Sequence, residues 1–547
     1  MSVGTISMRR LLVIAIPAVI MQLAIFKVFY PFASFFFTDS FGYVYAAAGN
    51  LDVHIWPVGY SKFLRVFNTF FHSDTALVCF QYLLLQACGL YFFFTLFRLL
   101  RPSKAVSIIL FVFLVFNPLF LYLANSVSSD ALFIGLSLLW ISQLLWIIRY
   151  PSRRRLLVHA ILLACLFTIR YTAIYYPLVA GMAIFLSTHT WREKLIAISL
   201  PMLLIIGFVY YTANATREAS GIRKFSPFSG WQLANNALYM YPHLGTEPGV
   251  SGRLPVPLRE LDNTIRRYFD TVKKEQTLFD PTYPGIYYLW SQQSPLAVYR
   301  EQQHRKYGGG DYFKVWASVS PLYEDYGAWW IRHYPLSYIR YFCLPNTARF
   351  ALPPLEFMEQ YNSGMDTVDR FSRGWFHYKD QRVWAFSRDV QSSILAPFPP
   401  ISLIFNLFFL GVLAIFLTTK GIFRAMPVFS RQLSLMVVLW ILHFGFSIFA
   451  APVVLRYQVF SLLCCCSFSL LLVERLLSWE KTNKEIKTKS DEQEKNNRRG
   501  LRLFPGLSIR LRRQRKALRV PDVQGSIGVV SLDPSYGGSD RVGNTSS

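Results

Sequence analysis

Charge is scarce in this chain. Of its 547 residues, 16% are Asp, Glu, Lys or Arg, while 53% are hydrophobic and 17% aromatic. A soluble domain carries roughly 25% charged residues, so the balance points to lipid. Acids are scarcer than bases, 31 against 56, for a formal net charge of +25. The basic excess sits in short loops beside apolar runs and in the C-terminal tail. It therefore speaks of membrane topology and anionic headgroups, and no RNA- or DNA-binding motif supports nucleic acid as a partner. Seven cysteines make no disulfide framework. Cys79, Cys88, Cys165, Cys464, Cys465 and Cys466 lie inside apolar runs as small hydrophobes, Cys343 has no obvious partner, and the absence of a CxxC leaves zinc and redox sites unindicated. There are no short alternating strands of the kind that build a transmembrane barrel, and no convincing internal repeat. The GGG at 308–310, followed by Asp311, lacks the Lys and Ser or Thr of a phosphate loop and reads as a hinge or turn.

What the chain has in abundance is long apolar runs. They fall near 10–31, 76–99, 105–124, 130–149, 155–169, 173–187, 194–212, 399–418, 432–451 and 453–474. Helices are the natural form, because backbone groups find no water in a hydrocarbon core. The expectation is an all-α polytopic integral membrane protein with about ten transmembrane helices. The fifth and sixth runs are the weakest pair, since Arg170 interrupts them. The N-terminal stretch is longer than a signal-peptide core and has no clear cleavage site, so it reads as the first membrane helix. The organisation expected is a transmembrane module over 1–212 with a first outer loop at 32–74, a mainly helical extracytoplasmic domain over 213–395, C-terminal transmembrane helices over 396–475, and a basic tail over 476–547. From 481 to 522 the tail has fourteen Lys or Arg against five Asp or Glu, RLRRQRKALR (510–519) being densest. It reads as disordered or bound to anionic lipid.

Loop charge sets the orientation. RLLRPSK (98–104), RYPSRRR (149–155), the segment around WREK (191–194) and TTKGIFRAMPVFSR (418–431) are basic and stay inside. The N-terminus and tail are then cytoplasmic, and the first loop, the NSVSSD turn (125–130), the turn at Arg170 and the long 213–395 segment share the outer side. Within that segment, YEDYGAWWIRHYPLSYIRYF (323–342) suits either a helix at headgroup level or an ordinary amphipathic helix of the outer domain.

Ionisable groups near membrane depth are functional candidates, because leaving them unpaired there costs several kcal/mol. On the outer side these are Asp39 after the first run, Asp52, His54, Lys62 and Arg65 in the first loop, Asp130 at the entry of the fourth run, Arg170, and Arg456 near the start of the last. Each has a plainer explanation. Asp39 and Asp130 suit helix N-termini, Arg170 and Arg456 suit interfacial anchors, and Lys27 suits snorkelling. Together, two carboxylates and several cations on one leaflet suit a site that deprotonates a hydroxyl and holds a phosphate.

Asp39, Tyr43 and Ala46 in DSFGYVYAAA, followed by WPVGY (56–60), resemble the polytopic GT-C superfamily of glycosyltransferases, especially bacterial members that use polyprenyl-phosphate sugars. Those enzymes place an acid just after the first membrane helix, often as D-x-x-x-Y, and a Pro- and Gly-containing segment before an interfacial helix. Asp130 in SVSSDALF is similar to the family's second acid, and RYTAIYYP (170–177) and LRYQ (455–458) to its Arg-Tyr helix entries. Ser40 departs from the pattern, since a second acid often follows the first directly. The likeness covers roughly 1–215 and, less fully, the last helices; 213–395 matches nothing known.

The resemblance implies an inverting transfer of a sugar from a polyprenyl-phosphate donor to a hydroxyl of a glycan, lipid or protein acceptor, at the outer face of a multi-pass plasma (bacterial inner) membrane. Asp39 would be the base and Asp130 the group that orients a sugar. Arg170, Arg456 and Lys62 would face the phosphate, with Tyr43, His54, Arg65, Tyr171 and Tyr457 lining the substrate site. No cofactor is expected; a divalent metal is not favoured, because two acids supply few of the oxygens it wants. A lipid-linked polysaccharide polymerase or ligase, and a non-enzymatic lipid or polysaccharide transporter, are the alternatives. The first would lean on outer Arg and His in the long loop, the second on charges in mid-span and inverted repeats.

Overall fold

The computed structural model describes residues 8–244, 253–275, 285–306, 311–450 and 452–503. Among them helices predominate and there is no strand, only two isolated bridges. Eight helices are long and apolar enough to cross a membrane, the architecture of a multi-pass membrane protein. They are α1 (Met8–Phe29), α4 (Asp74–Leu100), the pair α5 (Lys104–Val115) and α6 (Pro118–Ala124), α7 (Asp130–Arg149), α10 (Trp191–Ser220), a helix ending in α13 (Phe398–Thr418), α14 (Pro427–Ala450) and the membrane part of α15 (Leu455–Leu503). The fifth and sixth apolar runs form shorter helices. One is α8 (Arg153–Ile169, 17 residues), and the other a 3₁₀ turn at Tyr171–Tyr175 leading into α9 (Tyr176–Leu186). Both fall short of the ~20 residues a perpendicular span needs, and Arg170 is the break between them.

The basic loops collect at one end of the bundle. Ser103 N–H donates to Glu474, Arg475 donates to the Leu100 carbonyl and lies over Phe429, and Arg153 pairs with Glu193. At the opposite end, α2 (Asp39–Ala48) and α3 (Gly59–Asn68) lie in the connection between α1 and α4. Gly59 meets the end of α8 so closely that a Cβ there would stand 2.5 Å from the Thr168 carbonyl carbon. Any larger residue would force α3 away from Arg170.

The segment from 221 to 388 folds around its aromatics. Trp231 of α11 (Phe228–Leu238) stacks on Trp316, and α12 (Ser320–His333) buries Tyr323, Tyr326 and Trp330 against it. Gly327 makes the crossing possible, since a Cβ would lie 2.3 Å from the Leu233 backbone. In 323–342 the apolar face of α12 packs into the core of this segment. Three side chains then tie this domain to the C-terminal end of α14. Asn236 and Tyr338 donate to the Phe449 carbonyl and Asn346 to that of Ile448, satisfying carbonyls that a helix C-terminus leaves free.

Two differences from the sequence expectations concern the ends of segments. Helix α10 continues past 212 to Ser220 and stops at Gly221, whose φ of +80° suits glycine. The tail is helical to Leu503, because it is rich in Glu, Lys and Gln, holds no proline before 505, and adds a Glu480–Lys484 pair one turn apart. GGG (308–310) and RLRRQRKALR (510–519) lie outside the described residues.

Candidate functional site

Two chain segments fix the two acids. Before α2, Ser34 N–H donates to the Asn125 carbonyl and Val127 N–H to the Ser34 carbonyl, so the strand-like entry to Asp39 lies parallel to the entry to Asp130. In α2 the buried positions are Asp39, Ser40, Tyr43, Val44, Ala46 and Ala47. The D-x-x-x-Y spacing thus places acid and phenol on one helix face. Tyr43 OH shares a hydrogen bond with Ser129 Oγ at 3.1 Å, and burial, with Asp39 next in effect, pushes its phenol up to about 12. The flanking N-cap residues Thr38 and Ser129 make no capping bond from their side chains.

What both carboxylates face is Arg456, the second residue of α15. Its Nη1 donates to Asp39 Oδ2 at 2.9 Å and to Asp130 Oδ2 at 3.3 Å. Arg170 pairs with the other oxygen of Asp130, and Ser128 Oγ donates to Oδ2 at 2.9 Å. Aromatic faces enclose the guanidiniums. Arg456 lies 4.9 Å from the centroid of Phe36 and 4.5 Å from that of Tyr457, and Arg170 lies 4.1 Å from the same Tyr457 ring. Asp39, Asp130 and Arg456 are each over nine-tenths buried as side chains. Charges so placed must be paired, since removing one partner of a buried pair costs about 3–5 kcal/mol.

A third acid completes the cluster. Glu356 Oε2 accepts from Arg456 Nε at 3.3 Å. Burial first, and then Asp39 and Asp130 against the opposing pull of Arg456, push its carboxyl up to about 7. Its backbone is left-handed, φ +54°, a conformation that costs a non-glycine residue about 1–2 kcal/mol. The strap that carries it is pinned at both ends. The Leu455 N–H donates to the Pro354 carbonyl. Asn362, itself at φ +51°, accepts from Phe35 N–H through Oδ1 and donates its own N–H to Ser34 Oγ, while Ser363 Oγ donates to the Phe35 carbonyl. The strap therefore grips the segment that delivers Asp39.

The other residues singled out in the sequence lie apart from this cluster, with one exception. Tyr171 stands near Tyr43, which contributes to raising its phenol after burial, and packs on Phe225 and Phe167. His54 is buried against Phe313 of the aromatic-rich segment that follows α10 and its ring is held neutral, lowered to about 4 by burial. Lys62 pairs with Asp52 at 2.8 Å where both are substantially exposed, and also donates to Asn50. Arg65 donates to the Ala47 and Ala48 carbonyls at the end of α2. The sequence had offered Lys62 as a phosphate contact; in the structure it serves the α2–α3 turn. Among the described residues no three His, Cys, Asp or Glu form a group that could hold a metal ion.

Glu356 escaped the sequence reading. Its signal is the one Asp39 also carries, a lone acid between apolar neighbours in LPPLEFM (352–358), but it sits in a segment where acids are ordinary. Comparison of the chain with protein families, with curated proteins and with solved structures finds no match.

Proposed function

We propose that this chain is a membrane glycosyltransferase of the GT-C type. It moves a sugar from a polyprenyl-phosphate donor to an acceptor hydroxyl at the outer face, with inversion. The observation that carries this is the shared guanidinium of Arg456, which ties a carboxylate after the first membrane helix to a carboxylate at the head of α7, beside a second arginine.

The chemistry needs a base, a clamp for a leaving phosphate and a place screened from water. Asp39 has one oxygen on Arg456 and the other facing only the Thr38 hydroxyl at 3.3 Å. That second oxygen is the one to accept the acceptor's proton as its oxygen attacks the anomeric carbon. The bond from that carbon to phosphate breaks, and the electron pair leaves with the lipid phosphate. Arg456 and Arg170 stabilise the developing charge, worth more in a low-dielectric site than in water. Asp130 orients these cations through its two oxygens and in turn the sugar. The donor's tail stays in lipid, and the acceptor is a glycan, lipid or protein hydroxyl reaching the outer face of a plasma membrane with the N-terminus and tail inside.

The test is to feed membranes that contain the chain a radiolabelled polyprenyl-phosphate sugar and separate the lipids by thin-layer chromatography. Loss of label from the donor, dependent on the chain and abolished by Arg170→Ala together with weakened donor retention, supports the function. Label that stays on the donor with every acceptor class offered contradicts it.

A further inference from the structure

Arg456 is crowded for a phosphate-binding residue. Three carboxylates share two guanidiniums in the cluster. The Nη1 end of Arg456 is spoken for by Asp39 and Asp130, which the starts of α2 and α7 place. The Nε edge is the side through which arginine can offer a two-pronged grip to an oxyanion, and there it meets Glu356. Of the three acids, Glu356 is the one supplied by a single 3₁₀ turn (Glu356–Met358) and not by the start of an α-helix. It is also the one whose backbone is in the left-handed region. Its neighbour Phe357 stacks on Phe36 and lies 5.4 Å from the same guanidinium, so the carboxylate and a ring arrive on Arg456 as one unit.

Resting on the glycosyltransferase function above, we infer that Glu356 occupies the donor's phosphate subsite: its carboxylate sits on the Nε edge of Arg456 and yields that edge to a lipid-linked phosphodiester. Carboxylate and phosphodiester each bring one negative charge, so the exchange leaves the cluster's charge balance unchanged. The bound Glu356 keeps Arg456 paired between turnovers, which a buried guanidinium requires. Displacement releases the strained φ at 356, while the clamps at Asn362 and Ser363 keep the strap attached to the segment before Asp39.

Four groups on other elements face Glu356: Arg456 and Tyr457 on α15, Asp39 on α2 and Asp130 on α7. With its carboxyl pushed up to about 7, Glu356 takes up a proton between pH 8 and pH 6 and loosens from Arg456. Apparent affinity scales with the competent fraction, so a phosphodiester should bind more tightly at the lower pH.

The experiment uses the full chain in detergent and farnesyl methyl phosphate, a diester whose charge does not change over this range. Binding is followed by tryptophan fluorescence or calorimetry. In wild type the dissociation constant is expected to fall several-fold, up to about tenfold, from pH 8 to pH 6. At pH 8, Glu356→Gln is expected to bind the diester about tenfold more tightly than wild type and to lose the pH dependence. A Gln variant that binds no better than wild type, or a wild-type affinity that is flat across the range, overturns the inference; the wild-type arm stands even if the variant fails to fold. Tighter binding by the Gln variant with no transfer of sugar from any polyprenyl-phosphate donor keeps the subsite and overturns the transferase function. Transfer that depends on Asp39, with diester binding indifferent to Glu356, does the reverse.

Discussion

Arg456 and Lys62 look alike in the sequence: each is a cation beside an apolar stretch on the same expected side of the membrane. In the structure they have opposite surroundings. Arg456 is buried between aromatic rings and held by three acids from three distant elements. Lys62 is exposed and held by one acid ten residues away. Sequence position fixes the depth of a charge in the membrane, whereas what it faces depends on contacts hundreds of residues apart. A buried charge without partners is too costly to keep, so the partners themselves mark Arg456 as the site. An exposed pair contributes ~0–1 kcal/mol and marks nothing.

The contrast can be broken at several points. The largest effect is expected from Arg456→Ala, which strands Asp39 and Glu356 and leaves Asp130 to Arg170 alone. It should destabilise the fold by about 3–5 kcal/mol, seen as a lower unfolding midpoint in detergent; a midpoint equal to wild type would mean that the acids do not depend on it. Asn362→Ala removes the side-chain acceptor for Phe35 N–H and the side-chain donor to the Met365 and Thr367 carbonyls and leaves buried backbone groups unsatisfied, at about 1–3 kcal/mol. Faster proteolysis within 352–364 is the readout, and unchanged cleavage would detach the strap from the site. Smallest of all, Lys62→Ala should shift stability by less than ~1 kcal/mol and leave transfer intact. A large loss of transfer would return Lys62 to the phosphate.

Glu356 adds a pH dependence with a definite sign. Its folded carboxyl is raised from the ordinary 4.5 to about 7, so between those values the folded state binds more protons than the unfolded state. Its contribution therefore destabilises the fold as pH rises from about 4.5 to 7. Stability against urea, measured across that window, should fall less steeply with pH in Glu356→Gln than in wild type; equal slopes would show that another group titrates.

The legible part of this molecule was its membrane pattern and the four charges that gather at one end of its helices. Asp39, Asp130, Arg170 and Arg456 each interrupt apolar sequence, where a charge needs a reason. Tyr43 was legible through the resemblance alone, as the Tyr of D-x-x-x-Y, and α2 buries it on the face of Asp39. Glu356 was not, because its segment is polar enough that an acid arouses no suspicion, and its meeting with Arg456 spans exactly the kind of long-range contact that periodicity does not report. The span count was blurred by Arg170, which divides an apolar stretch into α8 and α9 and leaves both short. The tail's charge pattern was read as disorder or attachment to anionic lipid, whereas its proline-free run of Glu and Lys makes a helix to Leu503.

Release of polyprenyl phosphate from a polyprenyl-phosphate sugar, measured in parallel for wild type and Asp39→Asn, tests the central claim most directly. Asparagine keeps the size of the side chain and leaves Arg456 two acids, so the variant should fold and retain the donor. Its release should fall by roughly 10²–10⁴-fold, the range lost with a positioned base. Release at a near-normal rate from the folded variant would contradict the account.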